Sequence, residues 1–355
     1  MLEGGAWISS DWAMRLPRLL APAELPVAYY HCLSRVVNRD FVLGDLEREK
    51  FVELLRLYEA FCQVRIITYC VMSNHFHVLL EVPQRPPNAQ LTDEELLQQL
   101  KAIYNATQLA EVRSQLHLYR ANGLDEAAEA YKLTYLARMW DVSAFMKLVK
   151  QRFSQWFNRV HRRKGTLWEE RFKSVLVEEA GEAMSAMSAY IDLNPVRAGM
   201  VADPKDYRWC GYADALAGRK SAQAGLRVVA EARAEKPVPQ SREVLSLYRT
   251  LLFVAGEEEG LDAETRQALR RGFSREQIDA TLEAGGRLGW GQMLHCRVRY
   301  FSDGMALGSR EFVDHIFHTQ RHRFAPNRET GARPLRRLDA GGLRTLRDLR
   351  VQPVG

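Results

Sequence analysis

Two short stretches carry residue types able to do chemistry together. The first is Asn74-His75-Phe76-His77, which opens the apolar run 75–82 (HFHVLLEV). Side chains two apart on a strand face the same way, so His75 and His77 project together while Phe76 points to the opposite face. Two imidazoles so placed can chelate one metal ion. The structural alternative is a histidine that merely satisfies a hydrogen bond in a core. The second stretch is Tyr190-Ile191-Asp192-Leu193-Asn194-Pro195. Helix positions four apart lie on one face, so Tyr190 and Asn194 point the same way. A phenol beside a cation has its oxyanion form stabilised and becomes a nucleophile, and the amide oxygen of Asn194 is a candidate third ligand. Taken apart from the histidines, the packing reading is the stronger one: a tyrosine near a helix end is most often a packing residue, and an asparagine before proline is an ordinary helix terminator.

The elements that must position these residues follow from periodicity. Residues 26–37 (PVAYYHCLSRVV) are rich in aromatic and β-branched types and predict a strand. Phe51, Leu54, Leu55, Tyr58 and Phe61 recur at helical spacing within 45–62. The β-like runs 64–72 and 75–82 are separated by Ser73-Asn74, a pair that predicts a tight hairpin. After a proline-rich break at Pro83, Pro86 and Pro87, residues 91–140 predict helices, opened by Thr92 and Glu95 at capping-box spacing. A long helix at 142–161, a strand at 174–178 and a helix at 182–193, stopped by Pro195, complete the pattern. The order strand, helix, strand, strand, helix, strand, helix predicts an α+β fold, a ferredoxin-like antiparallel sheet with packed helices. The composition changes near Gly218, so residues 1–217 are expected to form one domain with a helical insertion at 88–140. Residues 218–355 are then a mainly helical C-terminal domain with a Gly- and Arg-rich tail.

The 355 residues carry 46% apolar side chains and a formal charge of +6. No run of eighteen apolar residues and no compact leader pattern occurs, which predicts a cytoplasmic protein that does not span a membrane. Met14 is an alternative start, since the residues before it match no motif. Five cysteines without a CxxC pair argue against a zinc knuckle or a disulfide framework and for reduced, buried thiols. The positive charge is concentrated: Lys147 to Lys173 holds nine Lys/Arg against two Glu, and Arg321 to Arg350 nine Arg against three acids. Phe153, Trp156, Phe157, Trp168 and Phe172 interleave the first cluster, the mixture that tracks a phosphate backbone and stacks on bases. An amphipathic helix with a solvated basic face is the alternative reading.

Together the motifs resemble the REP-associated tyrosine transposases and the related single-strand insertion-sequence transposases of the HUH single-tyrosine superfamily. The matching stretches are YHCLSR (30–35), VMSNHFHVLLEVP (71–83), FMKLVKQRF (145–153), GTLWEERFKSVLVE (165–178), YIDLNPVRAGMV (190–201) and YRWCGY (207–212), covering about residues 26–216. The resemblance implies the HUH endonuclease fold, with Mg²⁺ or Mn²⁺ held by His75 and His77 and Asn194 as third ligand. It implies Tyr190 as the nucleophile that cleaves single-stranded or hairpin DNA and transfers the strand through a 5′-phosphotyrosine. Many relatives carry a tyrosine where this chain has Phe153. Tyr190 is preferred because it has an asparagine four residues on. The expected DNA contacts are Lys150, Arg152, Arg162, Arg163, Trp168, Arg171, Lys173 and Arg197, with Trp156 as a further stacking group. The resemblance leaves a monomer or a homodimer open. Two other readings stay open: a domesticated relative that grips DNA or RNA without cutting it, and a metal-dependent hydrolase that uses water as nucleophile.

Overall fold

The computed structural model describes residues 18–87, 89–179, 181–253, 258–261, 268–270, 294 and 297–347. Met14, Cys296 and the last part of the arginine-rich tail lie outside the described residues.

The centre of the molecule is a sheet whose first four strands follow the ferredoxin-like order. Strand β1 (Val27–Arg35) leads through α1 (Asp45–Cys62) to β2 (Arg65–Val71) and β3 (His75–Pro83). Helices α2 (Asp93–Leu100), α3 (Ala106–Ala121) and α4 (Asp125–Leu136) form the insertion, and α5 (Val142–Val160) leads to β4 (Lys173–Val177). In space the strands lie β2-β3-β1-β4, each antiparallel to its neighbour. The predicted elements thus occur within a residue or two of their expected limits. The Thr92 hydroxyl accepts from the Glu95 backbone amide while the Glu95 carboxylate accepts from that of Thr92, the capping box anticipated from their spacing.

Alternation along the strands gives the sheet two different faces. One is covered by α1 and α5: Phe51, Phe76, Phe145, Phe153 and Leu176 pack there in one core. The other carries Tyr29, Leu79, Val175 and Val177 against α6 (Gly181–Asp192). Helices α7 (Asn194–Arg197), α8 (Gly211–Leu216), α9 (Lys220–Ala234) and α10 (Ser241–Phe253) follow, and α9 lies across β2 on that second face. Close approach is possible because Gly225 has no side chain. A Cβ there would come within 2.4 Å of the carbonyl oxygens of Ile66 and Ile67.

The C-terminal region is helical in part, as expected, but it also completes the sheet. After the small ribbon of β5 (Glu258–Leu261) and β6 (Ala268–Arg270) come α11 (Arg299–Asp303), β7 (Ala306–Gly308), α12 (Arg310–Thr319), β8 (Arg333–Pro334) and β9 (Arg344–Thr345). Strand β7 pairs in parallel with β4, and β9 and β8 extend the sheet to seven strands, β2-β3-β1-β4-β7-β9-β8. One sheet therefore runs through the boundary that composition placed near residue 217. Strands of two and three residues are too short to show a period-two signal. Cys32, Cys62, Cys70 and Cys210 are free and buried. Among the described residues no helix is long and apolar enough to cross a membrane.

The tight seat of α9 makes a prediction against helix propensity. Alanine is the better helix former by about 1 kcal/mol, yet Gly225→Ala is expected to lower stability by roughly 1–3 kcal/mol through overpacking. Urea unfolding checks it, and an unchanged or raised midpoint contradicts the close approach.

Candidate active site

The pairing of β1 with β3 sets the site. Arg35 lies opposite His75, Leu33 opposite His77 and His31 opposite Leu79. Residues directly opposite share a face, so His31, Arg35, His75 and His77 all project toward the face covered by α6. Phe76 points the other way, with its ring 4.4 Å from Phe51 and 5.4 Å from Trp168. The His75 and His77 rings are 5.2 Å apart, and His77 stacks on His31 at 5.0 Å.

Helix α6 brings Tyr190 over this group. Its ring lies edge-on to His77 at 6.0 Å and to His31 at 6.4 Å. The phenol, from a helix more than a hundred residues downstream, thus converges on the paired histidines. The guanidinium of Arg197 lies 4.1 Å above the Tyr190 ring and donates to the carbonyls of Tyr190 and Leu294. Phe301 of α11 packs edge-on against the same ring at 4.9 Å. Covered in this way, Tyr190 is only 3% exposed. Its hydroxyl makes no hydrogen bond among the described residues.

Burial keeps the imidazoles neutral. Desolvation is the largest cause in each case, lowering His31 to about 4 and His75 to about 3 and holding His77 well below its usual range. The positive charges of Arg35, Arg297 and Arg197 add to the effect on His75. A site with several cations around neutral imidazoles favours an anionic ligand such as a phosphate.

The donor set fits a divalent cation. Asn74 donates its Nδ2 to the Arg39 carbonyl at 2.9 Å, which fixes its Oδ1 as the partner of His75 Nδ1 at 2.7 Å. That oxygen only accepts, so His75 carries its proton on Nδ1 and its lone pair on Nε2. Asn194 has a buried amide nitrogen with no partner among the described residues, and amide oxygen and nitrogen are interchangeable by a flip. Its side chain hydrogen-bonds neither histidine. Helix α6 ends at Asp192, and Asn194 begins the separate turn α7, so the expected single helical face breaks between Tyr190 and Asn194. Among the described residues no cluster of three His, Cys, Asp or Glu side chains is placed to hold a metal.

Asp192, between these residues, carries a structural role that spacing did not reveal. Fully buried, its carboxylate accepts from Thr68 Oγ1 at 2.8 Å, from the Tyr212 amide at 3.1 Å and from the Tyr248 hydroxyl. Desolvation, partly offset by those donors, raises it to about 6. It ties α6 to β2, α8 and α10 and so holds Tyr190 in place.

The expected DNA contacts divide. Arg152, Arg162 and Arg171 are exposed and Arg163 is half-buried on the α5 side. Lys150 donates to Ser34 Oγ and the Glu170 carbonyl, and desolvation lowers it to about 8. It lines a cavity of about 850 Å³ with Arg18, Lys147, Arg171 and Phe172. Lys173 pairs with Asp303 of α11 at 2.9 Å, and Arg197 belongs to the histidine site. Trp168 is a core side chain, 8% exposed, with its indole nitrogen donating to the Lys150 carbonyl and its ring among Phe51, Phe76 and Phe153. Trp156 is half-buried against Phe153. These basic residues serve the face opposite the histidines, apart from Lys173 and Arg197.

Phe153 is fully buried in that opposite core, with Phe51 at 5.0 Å and Trp168 at 5.9 Å. A hydroxyl added to its ring would lie across the sheet from His75 and His77. Sequence reasoning missed His31, Arg35 and Asp192 as site residues, although YHCLSR places His31 and Arg35 on one face of a strand.

Residues 25–118 match the model of the family described as IS200-like transposases. Over that stretch the chain is similar to the IS200-like transposases. The resemblance drawn from the motifs is thereby borne out over residues 25–118, which hold YHCLSR and VMSNHFHVLLEVP. A solved structure of a REP-associated tyrosine transposase bound to a REP hairpin is also similar, at 12% identity, over 54% of this chain and 80% of that one, with a TM-score of 0.35. No match is found among the curated proteins.

Removing the Asp192 carboxylate leaves three donors in the interior without an acceptor. Asp192→Ala is expected to lower stability by roughly 2–4 kcal/mol. A denaturation midpoint equal to that of the parent protein would show that this network carries no weight.

Proposed function

We propose that the chain cleaves and rejoins single-stranded, hairpin-associated DNA through a covalent bond to Tyr190. The observation that carries the reading is the convergence of one phenol with two neutral histidines on one sheet face, at 6.0 Å from His77. Tyr190 attacks the scissile phosphorus in line. The Tyr190 Oη–P bond forms as the P–O3′ bond breaks, and the leaving oxygen takes up a proton to become a free 3′-OH. The 5′-phosphotyrosine keeps the energy of the original diester, so a second 3′-OH can reverse the step and join new ends without an external energy source. Bound by His75 and His77, with Asn194 as third ligand, Mg²⁺ or Mn²⁺ would neutralise charge on a nonbridging phosphate oxygen. Arg35, Arg197 and Arg297 add positive charge around His75, which would favour a phosphate there. Arg197 and Phe301 pack against the Tyr190 ring and narrow the approach to it. Single strands suit such a covered site because they bend where a duplex does not. The exposed Arg152, Arg162 and Arg171 are proposed to hold flanking phosphates, consistent with a basic sequence. The protein is proposed to work in the cytoplasm as a monomer or homodimer.

A second reading, a protein that grips DNA or RNA without cutting it, is favoured by that same cover over Tyr190 and by the apolar Phe153. Incubation of the full chain with labelled hairpin oligonucleotides and Mn²⁺ separates the two. A covalent adduct is expected, falling to background in Tyr190→Phe and when EDTA removes the cation. The double variant Tyr190→Phe, Phe153→Tyr is expected to stay inactive. An adduct recovered in the double variant would move the nucleophile to position 153, and tight binding without any adduct would establish the binding protein. Turnover that survives Tyr190→Phe would instead point to water as nucleophile.

A further inference from the structure

The third histidine of the site stands outside the expected ligand set. His31 is 1% exposed, at the middle of β1. Its Nδ1 lies 2.6 Å from the main-chain oxygen of Phe301 and its Nε2 lies 2.8 Å from Nδ1 of His77. A carbonyl oxygen can only accept, so the proton of neutral His31 sits on Nδ1 and its Nε2 holds a lone pair. His77 Nδ1 must then donate. The lone pair of His77 is left on Nε2, the same nitrogen that Asn74 leaves free on His75. Two carbonyl-type oxygens, one local and one 270 residues from His31 in the chain, thus fix both histidines in matching tautomers.

We infer that His31 is a positioning residue, and that the Phe301 carbonyl sets through it the tautomer in which His77 offers Nε2 to a divalent cation. The inference rests on the reading that His75 and His77 hold that cation. It gives the C-terminal region a part in the site: α11 supplies the oxygen that ends the relay, and β7, paired with β4, anchors α11 over β1. A merely structural His31 would fill space between Phe301 and His77 and leave the proton on either nitrogen of His77.

Two measurements on the full chain test it. In the metal-free protein, long-range ¹⁵N–¹H correlation spectra of the imidazoles should show His77 protonated on Nδ1. Mn²⁺ titration followed by the electron paramagnetic resonance of the free ion should show His31→Leu binding about 10- to 100-fold more weakly. His31→Gln, whose amide oxygen can accept in place of Nε2, should recover most of that loss. His77 protonated on Nε2 in the parent protein overturns the proposal even if His31→Leu fails to fold. So does a folded His31→Leu with unchanged Mn²⁺ affinity. A parent protein that binds no Mn²⁺ removes the metal reading instead, and the tautomer spectrum still decides the relay.

Discussion

The register of β1 against β3 is the constraint on which the site depends. Because Arg35 pairs with His75 and Leu33 with His77, the histidines, His31 and Arg35 occupy one face while Phe76 enters the core beneath α1 and α5. A slip of one residue would exchange the faces, burying two imidazoles among phenylalanines and turning Phe76 toward Tyr190. The apolar residues flanking the histidines enforce the register, since Val78 and Leu80 share the core with Phe76 and Leu79 lies on the other side. Packing and chemistry are set by the same pairing.

Above that face, α6 is held by a buried polar anchor rather than by apolar contact alone. Asp192 gathers donors from β2, α8 and α10, and two positions earlier Tyr190 rests on the stacked histidines. Arg197 returns from the next turn to cover the phenol, and its other hydrogen bond reaches Leu294. The C-terminal region therefore meets the site at three points: Leu294, Phe301 and Asp303, the last through Lys173.

Strong local signals made most of the fold between residues 26 and 193 readable: alternation in 75–82, helical spacing in 45–62, and the Thr92–Glu95 capping pair. The convergence of His75, His77 and Tyr190 was also readable, through motif resemblance, since spacing alone could not join positions 115 residues apart. The remainder was hidden for physical reasons. His31 gains its role from partners 46 and 270 residues away, and nothing in YHCLSR distinguishes that from a core histidine. Trp168 sits in a basic aromatic stretch that reads equally as a stacking surface or a core edge, and burial decided for the core. The separation of Asn194 from the α6 helix depends on one residue, Leu193, whose backbone breaks the turn ahead of Pro195. Strands β7 to β9 are too short to announce themselves, so the sheet's passage into the C-terminal region appears only in three dimensions.

The central claim is that the phenol of residue 190 becomes bonded to DNA, and locating the bond tests it most directly. After reaction with a hairpin oligonucleotide, nuclease and trypsin digestion leaves the peptide 174–197, SVLVEEAGEAMSAMSAYIDLNPVR, in which Tyr190 is the single tyrosine. Mass spectrometry is expected to find the nucleotide remnant on that peptide, with fragment ions placing it on the tyrosine. A remnant on any other peptide would contradict the account.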